Sequence, residues 1–381
     1  MKNNKAYQIC TNCVMDASDP NIKFDENGVC ERCNDYYSNI LPIWNKGEGK
    51  QAELKAIVEK IKKAGKGKQY DCILGLSGGF DSSYMLHFAV KELQLRPLVF
   101  HVNAGFNLPI AEENIRKMVD KLGVELKTDV INWDEVRDFQ LAFFKSGVPH
   151  LDIPQDMAFV SVLDKYAAQN NIKYILNGGN ISTEVIVNPN SWGYWGTDMR
   201  HVKDILKQFG TVKMKTYPFT GVIKRKVVMP CIKGVKVVKL LNSTPYIKKD
   251  AEKLLKDEYD WVSYAQKHFE SLMTKFIEGY WLPKRFGYDV RRPQFSSLIL
   301  TEQMTREEAL EKLKQPAIPE EETTAIMFEQ IAQKLEISTD ELQQYLAMPL
   351  KTYKDYKNQE SLFAIGARIM RLLKLDKLIR K

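Results

Sequence analysis

The chain has no run approaching the roughly 18 apolar residues that a helix needs to cross a bilayer, and its opening, Met1-Lys-Asn-Asn-Lys5, is polar where a secretory leader would be apolar. A membrane span is therefore excluded and a cytoplasmic setting is expected, where structural disulfides are rare. Cysteine is scarce and unevenly placed: four of the six lie in the first 33 residues, which leaves Cys72 and Cys231 for everything else. Internal repeats and low-complexity tracts are also lacking, which excludes solenoids and disordered arrays. What remains is an ordinary globular composition over 381 residues, 44% hydrophobic and 27% charged, with length for two or three domains. The net charge of +8 suits anionic ligands without choosing among them.

One stretch stands apart, Asp71-Cys-Ile-Leu-Gly-Leu-Ser-Gly-Gly-Phe-Asp-Ser-Ser83. Ile73 to Leu76 read as a short buried strand stopped by Ser77-Gly78-Gly79, and Ser82 to Val90 read as a helix. Strand, glycine turn and helix start together form an anion site, because free amides and the helix dipole converge there. Gly78 and Gly79 can wrap backbone around a phosphate. Ser77, Ser82 and Ser83 add hydroxyl donors, and Asp81 is placed to hold Mg²⁺. The Gly-Lys-Ser/Thr ending of the Walker loop is missing, as is the third glycine of the dinucleotide fingerprint. The loop instead resembles the Ser-Gly-Gly-x-Asp-Ser loop of the PP-loop ATP pyrophosphatases. That resemblance implies a grip on the pyrophosphate of ATP while AMP passes to a substrate oxygen.

Cys10-x-x-Cys13 and Cys30-x-x-Cys33 stand 16 residues apart. Each pair offers two thiolates from one turn, and two such turns close a tetrahedron around Zn²⁺. Asn27-Gly28 supplies hairpin turn chemistry. A module of residues 1–45 is too small to fold on its own core, so the metal would supply folding free energy as a structural site.

Residues 42–50 read as a linker and 51–64 as a helix. Further on, strands near Pro97–Asn103, Val124–Val130 and Lys173–Asn177 alternate with helices near Ile110–Leu122, Trp133–Lys145 and Gln155–Gln169. The expected fold over 50–240 is therefore α/β, a parallel sheet with helices on both faces. Ligands in such sheets bind beyond the carboxyl ends of the strands. That rule picks out the glycine loop, His101-Val-Asn-Ala-Gly105 and Asn177-Gly-Gly-Asn-Ile-Ser-Thr-Glu184. Val102 and Asn103 would offer backbone groups to adenine, and Gly178 and Gly179 a close backbone approach. Glu184 would serve Mg²⁺ or substrate, while His101 reads equally as a packed core histidine. Residues 188–200, rich in Trp, Tyr and Gly, suit a loop against a polar ring such as a sugar. Lys224-Arg225-Lys226 reads as a solvated or phosphate-facing cluster.

From about residue 243 the pattern turns helical, giving a C-terminal region of 241–381. There Lys284, Arg285, Arg291 and Arg292 interleave with aromatics in a form that suits phosphates and planar bases. Lys284 is taken as a catalytic cation alongside Asp81 and Glu184. Thr305 and Ser338 carry helix-start chemistry, and Pro316 and Pro319 break the pattern between them. The tail from Ser361 is amphipathic and basic, with Leu362, Ile365, Ile369 and Leu372 on one stripe. It is expected to dock on the body rather than on a membrane.

Taken together, Cys10-Thr-Asn-Cys13-Val-Met-Asp16, Ser77-Gly-Gly-Phe-Asp-Ser82, Tyr280-Trp-Leu-Pro-Lys-Arg-Phe-Gly-Tyr-Asp289, Ser296-Ser-Leu-Ile-Leu300 and Gln303-Met-Thr-Arg-Glu-Glu-Ala309 resemble the N-acetyl sugar amidotransferases of bacterial surface-polysaccharide and flagellar-glycan biosynthesis. The resemblance implies ATP-driven conversion of the acetamido group of a nucleotide-linked N-acetyl sugar to an acetamidino group. It also implies ammonia from a separate glutaminase through a channelling barrel similar to those of histidine biosynthesis. Cys72 and Cys231 match no glutaminase arrangement, and no nucleic acid partner is expected. Gly178, Gly179 and Glu184 stand where PP-loop enzymes carry a glycine strand end followed by an acid. A PP-loop tRNA-thiolating enzyme is the alternative reading, and a zinc-ribbon nucleic-acid-binding protein is a third.

Overall fold

The computed structural model describes residues 7–44, 48–318 and 321–372. Five parallel strands run in the order β3-β2-β1-β4-β5: β1 Cys72–Gly75, β2 Pro97–Asn103, β3 Leu126–Val130, β4 Tyr174–Leu176 and β5 Lys236–Val238. The α/β class read from the sequence is the class observed. Side chains alternate across the sheet with the period of two that a strand imposes. Ile73, Leu98, Phe100, Val102 and Ile175 enter one core. Cys72, Leu74, Leu76, Val99 and Leu176 enter the other.

Helices Trp133–Ser146 and Ile153–Gln169 cover the first face, together with C-terminal residues such as Phe276, Trp281 and Ile331. The second face is covered by helices Glu48–Gly65, Phe80–His87, Pro109–Leu122 and Lys248–Tyr259, through Ile61, Met85, Met118 and Leu255. The C-terminal chain thus shares both cores of the sheet. Local chemistry sets the helix ends: Pro109 opens one helix and Gly123 closes it in the left-handed region. The Asn132 side chain accepts from the Glu135 amide. Strand β5 was not expected. It is an edge strand of three residues with two exposed, so no apolar run announces it.

The cysteine module folds around two isolated bridges, Ile9–Asp16 and Phe24–Cys30, with Gly28 at φ +76° in its turn. It packs through Cys10, Cys13, Met15 and Tyr36 on Ile186 and Leu300 of the body. Two arginines fasten it: Arg306 donates to the carbonyls of Cys10 (2.8 Å) and Cys13 (3.0 Å), and Arg292 pairs with Asp16 at 2.9 Å. Arg291 meanwhile binds Asp289 at 2.6 Å and the carbonyls of Lys312 and Gln315. Arg285 caps the carbonyls of Leu346, Met348 and Pro349. These arginine forks serve the protein's own backbone, which corrects their reading as phosphate or base contacts. In the 224–226 cluster, Arg225 neutralises the buried Asp164 at 2.6 Å.

Candidate active site and metal centre

From β1 the chain moves to β2 and β3 on one side, then returns to place β4 on the other. The loops leaving β1 and β4 therefore part, and that switch point is where an open parallel sheet holds its ligand. A cavity of about 700 Å³ lies there, within the usual range for small-molecule sites.

Its first wall is the glycine loop. Gly78 has φ +80°, and a Cβ at this position would lie 2.4 Å from the Ala111 carbonyl oxygen, so only glycine fits. The Gly78 carbonyl is held by Trp261 Nε1 (3.3 Å) and the Tyr264 hydroxyl (3.0 Å). Ser77 and Ser82 share a hydroxyl contact of 3.1 Å, and the Gly79 amide donates to Ser77 Oγ at 3.2 Å. Helix Phe80–His87 begins at once, its free amides facing the turn.

Asp81 is the hub. Its Oδ1 accepts from Asn180 Nδ2 (3.1 Å) and the Tyr246 hydroxyl (3.0 Å). Its Oδ2 pairs with Lys267 Nζ at 2.7 Å, and the same ammonium pairs with Glu184 at 2.5 Å. Asn180 also caps helix Ile181–Glu184 by accepting from the Thr183 amide, so both strand-end loops are tied together. Burial pushes the Asp81 carboxyl up, but the Lys267 charge outweighs it and the net shift is downward. For Lys267 burial favours loss of the proton, yet Asp81 and Glu184 hold it on and its pKa is raised.

The expectation that Asp81 and Glu184 hold Mg²⁺ meets a different arrangement. The cation between them is Lys267, and both Asp81 oxygens already have partners. The residues as placed do not fit a divalent ion there. A second lysine, Lys248, also lines the cavity; burial lowers its pKa. Among the described residues no carboxylate pairs with it. One acid enters the loop itself: Glu270 accepts from Ser77 Oγ at 3.0 Å, and its Oε1 lies 2.4 Å from where a Gly79 Cβ would stand.

Of the residues singled out from the sequence, Ser77, Gly79, Asp81, Ser82, Val102, Gly178, Gly179 and Glu184 line the cavity. Gly78 lies beneath it. Ser83 is fully buried off the lining, and Asn103 turns its side chain to the Gly105 amide (2.8 Å). Lys284 is exposed and off the cavity; Lys267 stands where that cation was sought. His101 is a packed residue: its Nδ1 faces the Leu76 carbonyl (2.8 Å) and its Nε2 faces Asn107 Nδ2 (2.7 Å). From the aromatic loop, Asn188, Trp192 and Gly193 reach the lining, and Trp192 stacks on Tyr288 at 4.9 Å. Lys267, Lys248, Tyr246 and Glu270 were missed, since Tyr264-Ala-Gln-Lys-His-Phe-Glu270 carries no motif beyond scattered charge.

A second wall of the cavity is acidic, built from Asp152, Asp156 and Glu278 with His268 among them. His268 Nδ1 lies 3.2 Å from Glu278. Burial and the neighbouring charges of Asp156 and Glu278 push Asp152 well up. Burial raises Asp156 to about 6, with His268 opposing and Glu278 adding. The cavity therefore carries lysine-paired carboxylates at the glycine loop and a cluster dominated by carboxylates on this second wall.

Away from it, the sulfurs of Cys10, Cys13, Cys30 and Cys33 all lie within 4.8 Å of one another and are fully buried. Separations such as 3.9 Å (Cys10–Cys33), 3.7 Å (Cys13–Cys30) and 3.6 Å (Cys30–Cys33) match the tetrahedron edge of about 3.8 Å set by Zn–S bonds of about 2.3 Å. Amides of Cys13, Met15 and Cys30 point at these sulfurs. The cluster can hold a metal such as zinc.

Residues 270–370 match the family described as LPS biosynthesis protein WbpG-like, C-terminal domain. No curated protein matches the chain. In outline the chain is similar to the NH3-dependent NAD synthetase of Campylobacter jejuni subsp. jejuni NCTC 11168, with 17% identity over 55% of this chain and 93% of that one, at a TM-score of 0.29. It is also similar to the NMN synthetase of Francisella tularensis, with 16% identity over 60% and 92%, again at 0.29. At these values nothing about chemistry passes from either enzyme to this chain.

Proposed function

We propose that this chain is an AMP-forming amidotransferase acting on a nucleotide-linked N-acetyl sugar. The acetamido oxygen attacks the α-phosphorus of ATP and the bond to the β-phosphate bridging oxygen breaks, so pyrophosphate leaves and an O-adenylated imidate remains. Ammonia adds to the imidate carbon, a proton is lost, and AMP departs carrying the former amide oxygen. The product is the acetamidino sugar, and no covalent bond to the protein forms.

The observation that carries this reading is the Asp81–Lys267–Glu184 array, set beside a glycine loop at the switch point of the sheet. The Lys267 ammonium, shared now by Asp81 and Glu184, and the helix N-terminus after the glycine loop would together stabilise the charge growing on a departing diphosphate. Lys248 would add a second cation. For a phosphate to enter the loop, the Glu270 carboxylate must leave Ser77. The cavity of about 700 Å³ has Asn188, Trp192 and Gly193 of the aromatic loop in its lining, where a sugar would be received. The carboxylates of the second wall suit an incoming ammonium ion and could take the proton released when ammonia adds. The match of residues 270–370 to a lipopolysaccharide biosynthesis family supports a surface-glycan substrate. Among the described residues no cysteine lines the cavity, which leaves the thiolation alternative without its usual sulfur carrier. A separate glutaminase and channelling barrel would supply the ammonia.

The test is incubation of purified protein with nucleotide-linked N-acetyl hexosamines, ATP and ammonium salt, read by mass spectrometry. The expected result is a product with NH in place of O, and AMP that carries a heavy-oxygen label placed in the amide. Hydrolysis of ATP to ADP, or AMP without the label, would overturn the mechanism.

A further inference from the structure

On helix Glu360–Leu372 the described part of the apolar stripe, Leu362 and Ile365, is not buried as the sequence pattern led us to expect. Phe363 packs on Trp195 with ring centroids 4.7 Å apart, yet Leu362 is 48% exposed, Ile365 54% and Trp195 itself 49%. The side chains of Ile369 and Leu372 lie outside the described residues. Beside this apolar group runs a shallow groove formed by Met199, Arg200, Lys203, Lys207, Lys357 and Gln359. Its acid, Asp204, is engaged by Gln208 Nε2 (3.0 Å) and the Lys357 amide (3.0 Å), and nearby Glu360 pairs with Lys354 at 3.7 Å. In sequence, residues 361–381 contain six Lys or Arg against one Asp.

We infer that this face seats the protein on an anionic bilayer surface. An apolar strip flanked by cations is what an interfacial helix presents to lipid, with apolar residues entering the acyl boundary and the cations meeting headgroup phosphates. Leu362, Ile365 and Trp195 favour a bilayer over a nucleic acid, which would meet the same cations but has no use for aliphatic side chains. The helix lies on the interface: no described helix is long and apolar enough to cross a membrane. A peripheral seat of this kind is independent of the reaction proposed above.

The test uses the full chain with vesicles of phosphatidylglycerol and phosphatidylethanolamine, against vesicles of phosphatidylcholine alone. Co-sedimentation is expected to be about tenfold greater on the anionic vesicles and to fall several-fold between about 0.1 M and 0.5 M salt. Trp195 emission should shift to the blue on binding, a signal missing from Trp195→Phe. Leu362→Glu with Ile365→Glu, and separately Lys203→Glu with Lys207→Glu, should each cut vesicle binding about tenfold while the melting temperature holds. Equal or no binding to the two vesicle types would overturn the inference, as would full binding by both double variants. A wild-type dimer in light scattering that Leu362→Glu with Ile365→Glu dissolves would reassign the face to chain–chain contact. Retention on heparin with no vesicle binding would reassign it to nucleic acid.

Discussion

Along one wall of the cavity Ser77, Gly79, Phe80, Asp81 and Ser82 come from a single turn, whereas the second wall draws Asp152 and Asp156 from one helix and its N-cap and His268 and Glu278 from two other segments. The charge differs as much as the construction. Asp81 sits against an ammonium that holds its carboxyl down, while Asp152 and Asp156 are pushed up first by burial and then by neighbouring acids. One wall sets its carboxylates against lysine and the other crowds carboxylates around one histidine; under the proposed reaction the first would meet the phosphates and the second ammonia or its proton.

The sharpest way to break this contrast is Lys267→Met. It should slow pyrophosphate release by about 10²–10³-fold, the usual cost of removing one preorganised electrostatic group. Near-normal release would remove the loop wall from the chemistry. A loss of fold is expected next, from Cys13→Ser or from chelation. The module should lose its metal and the melting temperature should drop by several degrees, since Ile186, two residues beyond Glu184, packs in the same cluster as the four cysteines. Metal analysis showing no zinc in the wild-type protein would refute it.

Two carboxylate-to-amide changes should then move stability in opposite directions. Asp81 has a lowered pKa, so its contribution is present above about pH 4, its unfolded value, and is lost as pH falls further. Asp81→Asn should therefore destabilise at pH 7, by about 1–3 kcal/mol. Asp156, raised to about 6, costs stability once it ionises, fully above about pH 6 and not at all below its unfolded value near 4. Its side chain meets cavity water, so screening keeps that cost below about 1 kcal/mol. Asp156→Asn should raise the melting temperature at pH 7 and lose the advantage by about pH 4. Melting curves of both variants across this range check the signs, and a shared sign would end the contrast. The smallest effect is expected from Glu270→Gln. With one negative charge withdrawn from the loop, ATP should bind up to about fivefold more tightly by calorimetry.

The two walls also differ in how readily they were read. Gly78 was legible because a strand, a positive-φ turn and a helix start follow one another in the chain, and each leaves a local residue signature. The four cysteines were legible because two turns impose their spacing. Lys284, which lies off the cavity, was chosen and Lys267 was missed for the same reason. A lysine's role depends on which carboxylates the fold brings near it, and Lys267 lies far along the chain from both Asp81 and Glu184. Arg291 and Arg292 looked like ligand contacts, although Arg291 caps the Lys312 and Gln315 carbonyls and Arg292 the Val14 carbonyl at the seam between the cysteine module and the body.

By itself the sequence determined the parallel sheet, the glycine turn after its first strand and the tetrahedral cysteine set, since periodicity and turn chemistry act over a few residues. Tertiary structure alone decided that Lys267 stands between Asp81 and Glu184, that Asp152, Asp156 and Glu278 gather in one cavity with the loop, and that Leu362 and Ile365 are exposed. Those outcomes rest on distances between remote segments, which are set only when the two cores close on the sheet.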